Sequence, residues 1–472
     1  MMDMELETLQ CADAPSEAIF CKQRGGDSGG VTMSHEWRTV KLVDISAKRR
    51  WALNGGPFGS KLSRKHYSES GVPVIRGTNL SADSKFSFDD FVYVSEEKAD
   101  ELRANNAHPG DLIFTQRGTI GQVGLIPFDS PISRFVISQS QMKLTVDPEQ
   151  ADALFLYYFF SAADTVQKIQ NLAFAAGVPH INLDILRKFE TPVPPLPVQR
   201  RIAGILSAYD ELIENSQRRI WILEEMARSL YREWFVNFRF PGHENVPLVP
   251  SSIGDIPQGW EVKPLKSLMV DHIGGGWGKD IADEDHTEPA WVIRGTDIPD
   301  ARSSRIAGVP HRFHTLSNLR TRRLQAGDIL FEVSGGSKGQ PVGRTLLVTP
   351  ELLSAFGDES VICASFCKRV RPDAFGYGSE ILYLSFLEGY KSGEIEQFQV
   401  QSTGISNFKW TEYIAKIERV IPPEPLRFRF KELVLPLFSQ IAMLGLQIEN
   451  LRQTRYLLLP RLLSGQVNLE DN

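Results

Sequence analysis

Two stretches of this chain space their apolar residues at alternating steps of four and three. The first, Val198 to Phe235, places Ile202, Leu206, Tyr209, Ile213, Ser216, Ile220, Leu223, Ala227 and Leu230 on one narrow stripe. That is the seam of a coiled coil, not the broader apolar face of a surface helix. The second closes the chain with Leu437, Ile441, Leu444, Ile448, Leu451 and Leu458, where Ile213, Ile220, Leu223 and Leu230 reappear 228 positions later. A helix with such a seam needs a partner, and two of them in one chain predict a pair. Each is preceded by a proline cluster that ends a strand and starts a helix, Pro192, Pro194, Pro195 and Pro197 in the first and Pro422, Pro423 and Pro425 in the second. Pro436 lies inside the second pattern, so it either marks the true helix start or kinks the helix.

The material before each helix also repeats. From Trp37 to Pro195 the pattern reads as short strands, glycine turns and one helix. Phe86 and Phe88, then Val92 and Val94, alternate as half-buried strands; Asp111 to Thr115 and Phe135 to Val146 read as further strands, and Phe155 to Asn171 as an aromatic-rich helix. Trp260 to Pro423 gives the same order. Trp37 recurs as Trp260 (223 later), Val74–Thr78 as Val292–Thr296 (218 later), Gly110-Asp111 as Gly327-Asp328 (217 later) and Tyr157 as Tyr383 (226 later). Offsets that hold within elements and change between them are what a duplication leaves after its loops have gained and lost residues. The expected architecture is α/β (α+β): two tandem mixed domains, 36–196 and 259–425, joined to long helices at 197–236 and 426–472 in a pseudo-twofold repeat. Residues 237–258, rich in proline and glycine, read as an extended connector. Residues 1–35 lack periodicity and read as a disordered or mis-annotated extension, with Met33 as the expected beginning.

Composition narrows the class. The chain has 472 residues and 42% hydrophobic content, enough for several cores. No apolar run suggests a membrane span and no signal peptide opens the chain, which predicts a cytoplasmic protein. The net charge of −6 argues against a nucleic-acid partner only superficially, because residues 1–35 carry −4 of it and leave the rest near neutral. Four cysteines are no disulfide framework; Cys363 and Cys367 read as buried core on one face of a strand.

No catalytic constellation survives scrutiny. Gly118, Gly121 and Gly124 have the wrong spacing for a dinucleotide loop, and Gly335-Gly336-Ser337-Lys338-Gly339 lacks the glycine that a phosphate loop requires. The histidines form no metal-ligand pair at helical spacing. Each domain instead offers glycine-bounded loops tipped with hydrogen-bonding groups, of the kinds that pair with base edges and phosphates. In the first domain the candidates are Ser60, Lys61, Arg64, Lys65, Arg76, Thr78, Asn79, Gln116, Arg117 and Thr119. In the second they are Lys279, Arg294, Thr296, Asp297, Ser334, Ser337 and Lys338. Arg76 and Arg294, kept in both copies, also fit a framework role, whereas Gln116-Arg117 against Val333-Ser334 diverges as two readers of different sequences would.

Taken together, Gly56-Pro57-Phe58-Gly59-Ser60, Val74-Ile75-Arg76-Gly77-Thr78-Asn79-Leu80, Gly110-Asp111-Leu112-Ile113-Phe114, Pro194-Pro195-Leu196-Pro197-Val198-Gln199 and the closing Leu459-Pro460-Arg461-Leu462-Leu463-Ser464-Gly465 resemble the specificity subunit of type I restriction-modification systems. The second copy departs from the pattern in lacking the Pro-Phe pair in its glycine loop. The resemblance implies a non-catalytic subunit with two target-recognition domains, each reading half of a split, asymmetric site in double-stranded DNA. It also implies antiparallel helices that act as a ruler; a 38-residue helix spans roughly 57 Å. The partners it implies are two methyltransferase subunits and restriction subunits, which would carry the S-adenosylmethionine, ATP and Mg2+ that this chain would not hold. Other classes remain open on the residues alone. A self-associating scaffold would show no salt-dependent DNA binding. A fused DNA-modifying enzyme would need an Asn/Asp-Pro-Pro-aromatic motif, which is absent.

Overall fold

The computed structural model describes residues 37–81, 84–175, 180–336, 341–373, 376–402 and 405–467. Cys11, Cys21, Met33, Ser337 and Lys338 lie outside these. The first seam forms an α-helix of 36 residues, Leu196–Tyr231, which enters with a proline in its first turn and ends in a single π turn, Arg232–Val236. The second forms a helix of 40 residues, Glu424–Leu463. The two run antiparallel. Asp210 meets Arg455, Ile220 shares a crevice with Gly445 and Ile448, and Phe235 packs on Phe430 with ring centroids 4.6 Å apart, so the partner's number falls as the residue's rises. Ile202, Leu206, Ile213, Ala227, Ile441, Leu444 and Ile448 are all buried, as the seam requires. Burying each of these leucine and isoleucine side chains contributes about 1.5–3 kcal/mol.

The two domains sit at opposite ends of this pair. In the first, the strand Arg38–Lys41 pairs antiparallel with Glu190–Val193 where the domain joins its helix, Arg38 facing Val193. In the second, Glu261–Pro264 pairs in the same way with Glu418–Ile421. Inside the first domain, Leu53–Gly55, Gln141–Leu144, Leu112–Thr115 and Val123–Leu125 make one antiparallel sheet in that order. A second sheet holds Val72–Ile75 parallel to Phe135–Ile137. The second domain repeats both: Met269–Gly274, Cys367–Pro372, Ile329–Glu332 and Thr345–Leu347 in one sheet, and Glu288–Ile293 parallel to Ser360–Cys363 in the other. It adds a three-stranded sheet of Ser334–Gly335, Ile405–Phe408 and Gln399–Ser402. The Gly-Asp motif now has a structural reason. Asp111 and Asp328, both buried, accept the backbone N–H of His108 and Gln325 (2.9 and 2.8 Å), and Arg371 binds Asp328 through two hydrogen bonds of 2.7 and 2.8 Å.

Each domain shares its core with both helices. Ile202, Ala203, Leu206 and Leu462 belong to the core of the first domain, and Ala227, Tyr231, Phe430, Val434 and Ile441 to that of the second. A charged cluster fixes the first junction: Asp210 accepts a hydrogen bond from the Tyr158 hydroxyl (2.6 Å) and pairs with Arg455, while Lys85 lies 3.7 Å away. Burial, then the Asp210 charge, pushes the Tyr158 hydroxyl far above its ordinary pKa, so it stays a donor. At the second junction Arg232 forms a bidentate pair with Glu388 (2.8 and 3.0 Å).

Several expectations need correcting. The aromatic helix is two, Ala153–Ser161 and Ala163–Ala175, because Ala162 is extended and breaks it. The run Phe135 to Val146 is two strands around a turn, and Phe86 and Phe88 lie outside any strand. Cys363 and Cys367 are both buried but belong to different strands joined by a tight turn. The connector holds a hairpin, Leu248–Ser251 with Gly254–Pro257, whose Ile256 is buried with Phe240 against Trp260. The second helix starts at Glu424 and passes through Pro436. It is also apolar and long enough to cross a membrane by composition, contrary to the sequence reading; here Phe430, Val434, Phe438, Ile441, Leu444 and Ile448 are buried, while Phe428, Met443, Tyr456 and Leu457 are exposed.

Two glycines of these helices separate contact from mere helicity. A Cβ on Gly445 would fall on the backbone carbonyl of Ser303 in the second domain, whereas one on Gly204 would meet nothing within 4 Å. Gly445→Ala should cost about 1–3 kcal/mol through overpacking, and Gly204→Ala should stabilise by about 0.5–1 kcal/mol. Thermal unfolding of the two variants checks the pair; equal shifts would mean the second domain does not seat on Gly445.

Candidate nucleic-acid interface

In the first domain three loops leave the sheets at one end, after Leu53–Gly55, after Val72–Ile75 and after Leu112–Thr115. The turn Ser138–Ser140 ties them together. The Gly56 N–H donates to the Gln141 carbonyl (2.8 Å), the Ser138 N–H to Ile75 (2.9 Å), and the N–H groups of Gln116 and Arg117 both donate to Ser140 (2.7 and 3.4 Å). The second domain repeats the frame bond for bond. Gly275 donates to Cys367 (3.0 Å), Ala364 to Ile293 (2.9 Å), and Val333 and Ser334 both donate to Phe366 (2.9 and 3.2 Å). Glycine is required at two points of each first loop. A Cβ on Gly56 or Gly275 would strike the backbone carbonyl of Ser138 or Ala364. Gly59 and Gly278 have φ of 61° and 69°, the left-handed region that glycine enters at little cost.

The Arg-Gly-Thr-Asn/Asp turns are framework in both copies. The Arg76 N–H donates to Asn79 Oδ1 and the Arg294 N–H to Asp297 Oδ2, each at 2.8 Å. Asn79 is fully buried and also donates to the carbonyls of Ser87 and Asp89; Asp297 is buried beneath a bidentate pair with Arg294 (2.7 and 2.9 Å). Neither Asn79 nor Asp297 faces outward as a base reader would. Arg76 is held by Asp90 (2.8 Å), so its charge is already partnered. Thr78 and Thr296, between them, are exposed.

The remaining candidates divide by domain. Ser60, Lys61, Arg64, Lys65, Arg117 and Thr119 are exposed and Gln116 half-buried, and none of these cations forms an ion pair among the described residues. In the second domain Lys279 pairs with Asp283, and the hydrogen bonds from Lys279 and then His286 hold that carboxyl well below the usual range. Ser334 donates to Asn407 (2.7 Å). Among the described candidates, the cations left without an ion pair therefore all lie in the first domain. Sequence reasoning missed Gln139, whose side-chain amide donates to the carbonyls of Gly59 and Leu62 and pins the first loop to the turn. It also missed Phe58, Trp277 and Phe366, exposed at the loop tips. The signal for two of them was present, since Phe58-Gly59 and Trp277-Gly278 share one offset of 219. Among the described residues no three His, Cys, Asp or Glu side chains gather as a metal site.

Residues 34–225 match the family described as the type I restriction modification DNA specificity domain. The specificity subunit of the type I restriction enzyme MjaIX from Methanocaldococcus jannaschii is 24% identical over 451 residues, covering 92% of this chain and 94% of that protein. The HindI specificity subunit from Haemophilus influenzae is 20% identical over 499 residues, covering 92% and 100%. The crystal structure of a type I restriction-modification S subunit from M. genitalium shares the fold, with a TM-score of 0.53 at 14% identity across 92% of this chain and 97% of that one.

The division into framework and surface has a direct check. Asn79→Ala strands backbone groups that its amide now satisfies and should cost about 1–3 kcal/mol. Arg117→Ala, at an exposed tip, should stay within about 0.5 kcal/mol of the parent. Chemical denaturation of the two variants measures both, and a neutral Asn79→Ala would return that residue to the outward-facing set.

Proposed function

Since the chain belongs to the family of type I restriction-modification specificity subunits, we propose that its two domains read the two halves of one bipartite, asymmetric sequence in double-stranded DNA. The observation that carries this reading is the loop frame present twice, with the same backbone hydrogen bonds and different outward side chains. A shared frame with divergent tips is what two readers of different half-sites need. Base edges would be met by Gln116, Arg117, Thr78 and Ser60 in the first domain and by Thr296 and the Ser334 loop in the second. Lys61, Arg64 and Lys65 would take phosphates, a contact that positions the duplex without reading it.

The helix pair supplies the spacing. The first domain packs on the first helix around Gln199 to Asp210, and the second around Glu224 to Arg232. Their centres lie about 35 Å apart along the axis at 1.5 Å per residue, close to one turn of B-DNA at roughly 34 Å. Two heads held at that separation can meet successive faces of the same groove, with unread base pairs between. In this proposal the chain performs no catalysis. Methyltransferase subunits bound to it supply S-adenosylmethionine chemistry, and restriction subunits supply ATP- and Mg2+-dependent cleavage.

Methylation mapping in cells that express the chain with its methyltransferase partner should give one split, asymmetric motif that vanishes without the chain. Exchanging residues 36–195 for the matching domain of a relative should change one half of the motif only. A change in both halves would overturn independent reading, and no motif at all, with an active methyltransferase, would overturn the function.

A further inference from the structure

The glycine loops of the two domains carry an aromatic ring at the same structural position. Phe58 lies between Gly56, which the Ser138 carbonyl forces to be glycine, and Gly59 at positive φ. Trp277 lies between Gly275 and Gly278, which meet the same two constraints. The sequence difference, Pro-Phe against Gly-Trp, conceals that the ring is kept. Phe58 is 84% exposed and Trp277 41% exposed, although both stand on loops fastened to the sheet. The carbonyls of Gly59 and Leu62 accept from Gln139, and the Lys279 N–H donates to the Phe313 carbonyl (2.9 Å).

Single exposed apolar side chains are ordinary on protein surfaces. A ring repeated at one place in both copies, on a pinned turn that two constrained glycines maintain, is not accounted for by folding, because neither ring joins a core cluster. The surroundings indicate what the ring meets. From Gly55 to Ser68 the first loop holds Lys61, Arg64, Lys65 and His66 and no acidic residue. An apolar ring amid cations suits a ligand with anionic edges and flat aromatic faces, which is a nucleic acid, and an apolar protein surface would leave those cations unpartnered. Around Trp277 the chemistry is tighter. The Arg312 guanidinium lies 4.4 Å from the ring centroid, at cation–π distance, and pairs with Asp280. One side of the indole is already covered.

Resting on the DNA-reading function above, we propose that Phe58 and Trp277 are the stacking residues of the two heads, each setting its ring against a base of its half-site and opening that base step. Apolar side chains inserted at base steps unstack them locally, and stacking on an aromatic side chain is tolerant of base identity. The rings would therefore add affinity and fix register while the polar tips read sequence. Phe58, free on both faces, can enter a step. Trp277, backed by Arg312, offers one face.

The test uses the full chain assembled with its methyltransferase subunits on duplexes that carry the mapped site, with 2-aminopurine placed at each position in turn. The parent complex should show a fluorescence rise at one position in each half-site. Phe58→Ala should abolish the rise in the first half only and weaken binding by about 5- to 150-fold, with an unchanged thermal midpoint, and Phe58→Trp should restore both. Trp277→Ala should do the same for the second half. Unchanged affinity in Phe58→Ala with no position-specific fluorescence in the parent would overturn the inference, as would a Phe58→Ala that loses its methyltransferase subunits but keeps its DNA affinity. No sequence-specific binding by the parent complex would instead overturn the function on which the inference rests.

Discussion

Everything in this chain depends on the antiparallel seam between Leu196–Tyr231 and Glu424–Leu463. Neither domain closes its core without it. The first borrows Ile202, Ala203 and Leu206 from one helix and Leu462 from the other; the second borrows Ala227 and Tyr231 together with Phe430, Val434 and Ile441. Helix pairing and the helix-facing core of each domain thus share one set of apolar contacts, and the distance between the domains is set by helix rise instead of by a flexible linker. The Asp210 cluster reinforces this at one end. Burying a carboxylate is costly unless it is paired and hydrogen-bonded, and the partners of Asp210 come from the other helix and the first domain.

The duplication shows which residues the fold constrains. Bonds that shape the loop frame recur at every position compared, including the N–H of Arg76 to Asn79 and of Arg294 to Asp297. Outward tips differ, and so does their electrostatics. The first domain leaves Lys61, Arg64, Lys65 and Arg117 without ion pairs among the described residues, whereas the second pairs Lys279 with Asp283 and Arg312 with Asp280. Two heads of one fold can in this way hold the duplex with unequal strength while sharing one geometry.

The seams, the repeat and some strands, such as Val92–Val94 and Leu112–Thr115, were legible because each is a periodic or recurrent pattern. What escaped was set by contacts between distant residues. Asp210 sits beside the seam position Tyr209, and Arg455, 245 residues away, makes its burial tolerable together with Tyr158 and Lys85. Asn79 looked like a base reader by residue type; its side-chain carbonyl is spent on its own turn and its amide on the carbonyls of Ser87 and Asp89, and the matching Arg-x-x-Asp of the second copy was the available hint. Cys363 and Cys367 fit one face of a strand by spacing, but the turn between them is the counterpart of Ser138–Ser140. The connector's prolines suggested extension, and the burial of Phe240 and Ile256 against Trp260 folds it instead. The aromatic position at Phe58 and Trp277 was marked in the sequence by a shared offset of 219, but its weight became visible once the constrained glycines beside it were placed.

The most direct measurement of the central claim, that the helix pair sets the separation of two independent readers, is a matched insertion of one heptad in each helix. Placed after Gln217 in the first and after Gln447 in the second, the insertions lie near the middle of the pair and keep the seam in phase. Seven residues lengthen the frame by about 10.5 Å, roughly three base pairs of B-DNA. Methylation mapping should then find both half-sites unchanged and the spacer longer by about three base pairs. The same half-sites at the original spacing would contradict the ruler.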